Sequence, residues 1–401
     1  MTATVSTPQA NVTHDLLAKV EQLRPLIEAH AADAEANRRL ADEVVGAMFE
    51  AGLFSMCAPR AYDGLELHPA ETMRVLEAVA RIHPSAAWNL SMTQVIPNYA
   101  AWLSPDGARE VYENGPTTMA GALNPPAAAT RVDGGWRVTG QVPFGSGCHF
   151  ATWLAMPAVE MENGEPKVDP ATGQPTPFGV FFRRSEATIL DTWHTLGMRG
   201  TGSTDFAVQD LFVPDRLTAP ICPLSDPAPG FGGPLIRMWP FTGILGEAAV
   251  SVGAAAAMVD EATELCRTKT PAYNATALRD QQLAQFLMGK ARARVEASRD
   301  TLYRAAEEGY DELASRGGLL STEAKIRMQL AACFAAEACA EAARFVSDAI
   351  GTSAIRTTQP FERHFRDLHT LLQHSSKSAA RYSSAGRLMF GLENDWVWLS
   401  F

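Results

Sequence analysis

Apolar residues near the start of the chain recur at helical spacing. Leu16, Val20, Leu23 and Ile27 lie three or four positions apart, which places them on one face of a helix. The run from Leu40 to Phe49 repeats the spacing and stops before Gly52, a residue type that commonly ends helices. Three more helices are predicted here, at about Pro69–Ile82, from there to about Leu103, and after the N-cap pair Ser104-Pro105.

The pattern changes between residues 117 and 220. Short runs with β-type composition replace the helical spacing: GWRVTG, TWLAMPAV, FGVFF, ATILDTW and DFAVQDLFVP. Turns rich in glycine and proline separate these runs, and NGEPKVDPATGQPTP is typical of an exposed loop. This pattern predicts an antiparallel β-barrel or sandwich.

Helical spacing returns after the connector PLSDPAPGFGGP. Four long helices are predicted: GEAAVSVGAAAAMVDEATELC, Leu278–Arg304, Thr322–Ile350, and Arg366–Arg387, which reads RDLHTLLQHSSKSAARYSSAGR. Their alanine-rich faces permit close contact, so we expect a C-terminal four-helix bundle. The chain therefore predicts an α+β fold with domains at residues 1–116, 117–220 and 221–401.

Composition restricts the class of protein. A net charge of −11 over 401 residues disfavours binding to nucleic acid or to an anionic membrane. We find no secretory signal and no apolar stretch long enough to span a bilayer. The six cysteines are scattered without a CxxC pair, which indicates reduced thiols in a cytoplasmic enzyme and no metal site.

The usual nucleotide-binding motifs are absent from the sequence. MRGTGSTD contains the glycines GTG, but it lies between β-type runs and no helix follows it. A nicotinamide enzyme with its own Rossmann domain is therefore disfavoured. If the protein catalyses a redox reaction, the electrons must pass through a cofactor that is bound without a Rossmann domain.

Two glycine-containing turns are candidates for contact with a ligand. Gly145 and Gly147 flank Ser146 in VPFGSGCHFATW, which lets the backbone approach a flat ligand and offers it a hydroxyl. The turn Gly200–Ser203 in WHTLGMRGTGSTDFAVQDLFVP is rich in small hydrogen-bonding groups. Taken alone, the first turn is more simply a β-bulge and the second a hairpin connection.

The segment Arg366–Arg387 carries two histidines and several serines where a packed helix usually carries leucine and alanine. It is either a solvent-exposed surface helix or a helix that places one histidine in a pocket where that histidine takes part in proton transfer. His369 and His374 occupy different parts of the helix circumference, so both are not expected to face one pocket. Without further information, the surface helix is the favoured interpretation of this segment.

The helix–β–helix order and two motifs together resemble the acyl-CoA dehydrogenase superfamily over nearly the whole chain. GGWRVTGQVPFGSG is similar to its "GG(W/Y)-x-(V/L)-(T/S)-G" strand and flavin-facing turn, and WHTLGMRGTGSTDFAVQDLFVP is similar to its "G-x-R-(G/A)-(T/S)-x-(S/T)" strand. "F-x-SGC" and "RGTGS" look more like the two-component flavin monooxygenase branch, which includes the oxygenase component of 4-hydroxyphenylacetate hydroxylase, the steroid-degradation phenol hydroxylase and dibenzothiophene monooxygenase.

The resemblance implies a flavin site. Ser146 matches the hydroxyl residue that faces flavin N5 and O4, and Asn124 matches a second flavin-edge position loosely. Gln285 matches a position that reaches the cofactor of a neighbouring subunit. The residues that the resemblance assigns to the cofactor are Asn124, Gly145, Ser146, Gly147, Thr201, Gly202, Ser203 and Gln285.

The resemblance also implies a base. Dehydrogenases carry a glutamate in an "RD…YEGT" helix, and that position falls at or beside His374 and Ser375. No carboxylate occurs between Leu368 and Arg387, and Glu247 on an earlier helix is a possible substitute. The monooxygenase branch carries a histidine at this position, so we expect His374 and Ser146 to be catalytic. His369 and His364 are expected to be structural.

One departure concerns the substrate pocket. The similar hydroxylases carry a second active-site histidine after a "PS-x-A-W" stretch, where this chain has Ile96 or a neighbour, and His83 comes too early to replace it. A simple phenol is therefore a less secure substrate. The predicted pocket residues are Trp88, Asn89, Ser91, Ile96, Ser375 and Ser378.

The leading hypothesis is a reduced-flavin-dependent monooxygenase. It would receive FMNH2 or FADH2 from a separate NAD(P)H:flavin reductase and insert one atom of O2 into a small aromatic or heteroatom-containing substrate through a C4a-hydroperoxyflavin. The resemblance also implies a homotetramer. The alternatives are an acyl-CoA dehydrogenase or flavin oxidase with bound FAD, and a non-catalytic scaffold subunit.

Overall fold

The N-terminal part of the protein is helical. The computed structural model describes residues 7–221 and 226–400, so Cys222 lies outside the described residues. The helices of this part are α1 (Thr7–Ala29), α2 (Ala31–Asn37), α3 (Asp42–Glu50), α4 (Pro69–Ala80), α5 (Pro84–Val95) and α6 (Pro105–Val111). Helix α5 ends earlier than predicted because Pro97 lacks an amide hydrogen, and 3-10 turns continue the chain over Ile96–Trp102.

The middle part forms one sheet. Its strands are β1 (Met119–Gly121), β2 (Ala127–Val132), β3 (Gly135–Val142), β4 (Trp153–Glu162), β5 (Glu165–Pro166), β6 (Phe178–Arg183), β7 (Thr188–Ile189), β8 (Phe206–Pro214) and β9 (Thr218–Pro220). The order is β7-β8-β3-β2-β4-β6-β9, with β1 and β5 also paired to β4.

The expectation of a purely antiparallel sheet is wrong. β1 and β2 both pair with β4 in parallel, whereas the other pairs are antiparallel. The reason is that the chain leaves the sheet after β3 through residues 143–152. It then re-enters beside β2 and runs in the same direction. The excursion contains the turn Phe144–Gly147, here called the Ser146 turn.

The C-terminal part is a helical bundle. Its helices are α7 (Pro234–Arg237), α8 (Phe241–Thr268), α9 (Gln282–Arg316), α10 (Thr322–Ile350), α11 (Pro360–Leu371) and α12 (Ala380–Met389). The predicted fourth long helix is wrong as a continuous element, because residues 372–379 form a turn between α11 and α12. This segment, here called the His374 turn, contains His374, Ser376 and Lys377.

Helix α8 is the central element of the bundle core. By length and composition alone it could cross a membrane, contrary to the expectation from the sequence, but its apolar window is entirely buried within the protein. It packs against α4, α5, α9 and α10. Gly253 permits the closest approach, because a Cβ there would come within 2.5 Å of the carbonyl oxygen of Glu77. Glu247 is a buried acid in this apolar helix.

Candidate functional site

The Ser146 turn is held by two unusual backbone conformations. Phe144 and Gly147 both have positive φ, at 63° and 76°, and a bulky residue such as phenylalanine rarely adopts this conformation. Phe144 is nevertheless 64% exposed and contacts the Trp193 ring edge-on at 6.2 Å between centroids. An exposed aromatic ring on a strained turn is a typical feature of a ligand-binding surface.

Three hydroxyls and an indole form a hydrogen-bonded chain behind this turn. Trp88 Nε1 of α5 donates to Ser146 Oγ over 3.0 Å. Ser146 Oγ lies 2.6 Å from Ser203 Oγ, which lies 2.6 Å from Thr201 Oγ1. Thr201 in turn donates to the carbonyl oxygen of Met198 over 2.8 Å. The chain joins the two glycine-containing turns that the sequence singled out.

The His374 turn lies on the other side of Trp88. The Trp88 and His374 rings meet edge to face with centroids 5.1 Å apart, and Lys377 Nζ lies 4.8 Å from the centre of the Trp88 ring. The His374 side chain keeps 35% of its surface exposed, whereas that of Lys377 is fully buried. Trp88 therefore links the proposed base to the Ser146 turn.

A buried carboxylate lies beneath His374. Glu247 Oε2 accepts hydrogen bonds from Ser376 Oγ over 2.6 Å and from Lys377 Nζ over 2.5 Å, and it lies 3.1 Å from His374 Nδ1. Burial by itself raises the pKa of Glu247, but the neighbouring His374 and Lys377 outweigh it and hold that pKa below its usual range. Glu247 is therefore a carboxylate at neutral pH and a weak base.

Lys377 completes this group. Burial lowers its pKa, and the Glu247 carboxylate opposes that shift. The turn is also fixed from α10, where Gln329 Nε2 donates to the carbonyl oxygen of Ser376 over 2.6 Å.

Four residues of the site were not predicted from the sequence: Ser376, Lys377, Gln329 and Phe144. A usable signal was present, because a single acid within GEAAV and a single cation within SSKSAA each require a partner if buried.

The other predicted pocket residues lie in different environments. Asn89 is buried with no described partner for Oδ1, while Ser91 faces α8, since a Cβ on Gly246 would approach its Oγ to 2.7 Å. Ile96 packs into the core beside the sheet. Ser375 is exposed and Ser378 half-buried, and Ser378 Oγ donates to the carbonyl oxygen of Ser375.

Two predicted cofactor residues lie away from the hydroxyl chain. Asn124 is exposed in the loop between β1 and β2. Gln285 is exposed on α9, and its Nε2 donates to the carbonyl oxygen of Arg279. By contrast, Gly145 lies in the Ser146 turn, and its amide donates to the carbonyl oxygen of Thr204. Gly202 has a positive φ of 55°, which its lack of a side chain permits.

The remaining histidines of this region are held by the fold. His369 Nδ1 lies 2.8 Å from the carbonyl oxygen of Phe365, and its ring contacts that phenylalanine ring at a tilt of 31° with centroids 4.1 Å apart. His83 and His364 are fully buried, and burial lowers the pKa of each to about 3. Both are therefore neutral at ordinary pH.

Two family models match the chain. The acyl-CoA dehydrogenase N-terminal domain matches residues 20–105, and the acyl-CoA dehydrogenase C-terminal domain matches residues 245–379. Together they span more than half of the sequence. The chain belongs to the acyl-CoA dehydrogenase superfamily. The C-terminal match includes both Glu247 and the whole His374 turn.

The relatives within this superfamily are flavin-dependent monooxygenases. A pigment production hydroxylase of Rhodococcus sp. is 29% identical over 90% of this chain and 92% of its own length. An indole-3-acetate monooxygenase of Pseudomonas putida is 28% identical over 90% of both chains. The crystal structure of the HsaA monooxygenase from M. tuberculosis superposes with a TM-score of 0.85 at 26% identity, covering 96% of this chain and 99% of that one. The superfamily, its monooxygenase branch and the three-part fold are thus confirmed.

Proposed function

We propose that this superfamily member is the oxygenase component of a two-component system. It hydroxylates a small aromatic substrate with dioxygen and a reduced flavin, FMNH2 or FADH2, that a separate NAD(P)H:flavin reductase supplies. The observation that carries the proposal is the partly exposed His374 imidazole, which Trp88 connects to Ser146. The acid that could serve a dehydrogenase instead, Glu247, is buried and bonded to Ser376 and Lys377.

The residues present fit a flavin. Phe144 offers an exposed aromatic face for a flat ring system, and the chain of hydroxyls formed by Ser146, Ser203 and Thr201 begins in the same turn. These residues, together with Gly145, Gly147 and Gly202, would hold the isoalloxazine. When bound, a reduced flavin supplies the two electrons with which one oxygen atom enters the substrate and the other leaves as water.

His374 acts on the proton of the substrate. Its Nε2 accepts the hydrogen of an aromatic hydroxyl or ring N–H, which makes the ring more electron-rich and more reactive toward an electrophilic oxygen. Imidazole is the side-chain group that most commonly takes up and returns a proton near neutral pH, which suits it to this transfer. Indole-3-acetate and resorcinol, named for two relatives, are both aromatic compounds with such a proton.

The setting of the enzyme is part of the proposal. We infer a cytoplasmic homotetramer, because superfamily members pack C-terminal helices across subunits. The five described cysteines are free, which agrees with a cytoplasmic location. Leu283 and Phe286 are exposed on the same helix as Gln285. A partner subunit on this face would cover both apolar side chains and bring Gln285 toward its cofactor.

The direct test replaces the base. His374→Ala should lower the yield of hydroxylated product per reduced flavin consumed by about 100-fold or more, the typical contribution of a general base. Reducing equivalents should appear as hydrogen peroxide instead, while flavin binding stays within about twofold. Product is measured by chromatography and peroxide by a coupled peroxidase assay.

The matched control is His369→Ala, which replaces a histidine in the preceding helix whose Nδ1 contacts the carbonyl oxygen of Phe365. This variant should hydroxylate as the wild type does. Unchanged product yield in His374→Ala would remove His374 as the base. Tightly bound yellow FAD that an acyl-CoA bleaches would instead identify a dehydrogenase, and failure to bind flavin in any redox state would identify a scaffold subunit.

A further inference from the structure

The hydrogen atoms around Ser376 can be assigned from its contacts. A serine hydroxyl carries one hydrogen, and the 2.6 Å contact between Ser376 Oγ and the Glu247 carboxylate must use it. The 2.7 Å contact between Ser376 Oγ and His374 Nδ1 therefore needs its hydrogen from the ring. Ser376 thus accepts from His374 and donates to Glu247.

A second contact leads to the same assignment. His374 Nδ1 also lies 3.1 Å from Glu247 Oε2, and a bare ring nitrogen would place its lone pair against an anion. The Ser376 amide also donates toward Nδ1 over 3.4 Å, a much longer and weaker contact than the 2.7 Å between Nδ1 and the Ser376 hydroxyl. The Glu247 carboxylate and the Ser376 hydroxyl therefore determine which ring nitrogen of His374 carries the proton.

Lys377 keeps this arrangement in place. Its fully buried ammonium group donates to Glu247 Oε2, which stabilises the carboxylate in a site where burial alone would favour the neutral acid. An ionised Glu247 can only accept hydrogen bonds. Ser376 must then donate its hydrogen to Glu247 and accept the hydrogen on His374 Nδ1.

We propose that Glu247, Ser376 and Lys377 are positioning residues that fix the His374 tautomer, with the proton on Nδ1 and Nε2 bare toward the open side. The inference rests on the proposed function for its purpose, because a bare Nε2 is what a base needs. None of the three residues touches the substrate in this account. They act only through the imidazole, as second partners of catalytic histidines commonly do.

The test reads the tautomer directly in flavin-free protein. Nitrogen NMR of protein labelled at histidine, at about pH 9 where an ordinary histidine is neutral, distinguishes a protonated from a bare ring nitrogen. The His374 signals are those missing from a His374→Gln sample. We expect Nδ1 protonated and Nε2 bare in the wild type, and a bare Nδ1 would overturn the proposal.

The double variant Glu247→Gln/Lys377→Met removes both buried charges together, so that neither remains without a partner. It should shift His374 toward the Nε2–H form and lower product yield per reduced flavin by about five- to tenfold, with KM within about twofold. Should the double variant fail to fold, Ser376→Ala replaces it, with a smaller shift in the same direction, and Ser376→Thr should restore the wild-type tautomer.

The control is Ser383→Ala, an exposed serine on α12, which should leave both the tautomer and the yield unchanged. A variant that loses yield without any change of tautomer would make the three residues merely structural. The two proposals fail separately. Absence of hydroxylation in wild-type protein removes the oxygenase function but leaves the tautomer result intact, whereas a bare Nδ1 in an active oxygenase removes only this inference.

Discussion

The hydroxyl chain behind Ser146 has a direction. Thr201 uses its only hydroxyl hydrogen on the carbonyl oxygen of Met198, so Ser203 must donate to Thr201 and Ser146 must donate to Ser203. Trp88 can only donate, and it fills one acceptor position on Ser146. Ser146 therefore keeps a free lone pair and no free hydrogen, and it is set to accept.

This direction predicts a preference for the redox state of the flavin. Nitrogen N5, which the resemblance assigns to Ser146, carries a hydrogen in reduced flavin and only a lone pair in oxidised flavin. Ser203→Ala frees the Ser146 hydrogen and should tighten oxidised relative to reduced flavin by about three- to tenfold, the value of one hydrogen bond. Anaerobic titrations give both dissociation constants. An unchanged ratio in Ser203→Ala would contradict the assigned direction.

Residue identities could be predicted from sequence only where a motif carried them. Ser146 and His374 stand in stretches that resemble family motifs, so they could be named in advance. The sequence indicates that Lys377 and Glu247 each need a partner if buried, but not that Ser376 and Lys377 bond to Glu247, which is about 130 positions away. Only the folded chain brings these charges together.

The interruption between α11 and α12 is the element that shapes the site. A continuous helix from Arg366 to Arg387 would place Ser376 on the side opposite His374, because two residues turn a helix by about 200°. The turn instead directs His374, Ser376 and Lys377 toward Glu247. The sequence pattern remained helical because Leu368, Leu371 and Leu372 keep the helical spacing up to the break, and the serines that follow tolerate turns.

Asp367 connects α11 to the loop before Thr201. Its Oδ1 accepts from the Met198 amide over 2.5 Å, and burial raises the pKa of Asp367 to about 7. Between about pH 4 and pH 7 the folded protein thus binds a proton that the unfolded chain has lost, so this residue makes stability fall as pH rises.

Asp367→Asn cannot ionise and should remove that loss. The free energy of unfolding of Asp367→Asn minus that of wild type should be about 1 to 3 kcal/mol larger at about pH 8 than at about pH 5. The amide oxygen of asparagine can still accept from Met198. Denaturant unfolding at both values of pH measures the difference, and parallel curves for the two proteins would contradict a raised pKa.

At the scale of the whole molecule, the order of helices, sheet and helices was predictable because helical and strand periodicities differ along the chain. The parallel pairing of β4 with β2 was not, because pairing depends on where the chain re-enters the sheet after the Ser146 turn. The burial of α8 likewise depends on its neighbours. The domain limits at residues 116 and 220 stay a prediction.

The three parts of the molecule meet at the site. Trp88 comes from the N-terminal helices, Ser146 from the sheet region and His374 from the C-terminal bundle, and contacts with Trp88 join them. This convergence explains why sequence motifs could name Ser146 and His374 separately but not the contacts that join them. It also makes the oxygenase function a property of the whole chain.

The most direct test of that function is the fate of dioxygen. Purified protein, chemically reduced flavin and an aromatic substrate such as indole-3-acetate or resorcinol are mixed with dioxygen labelled with heavy oxygen, and the product is analysed by mass spectrometry. We expect one labelled oxygen atom in the product of the wild type and a loss of that product in His374→Ala. No labelled product from any aromatic substrate tested, together with reduction of a permanently bound FAD by an acyl-CoA, would contradict this expectation.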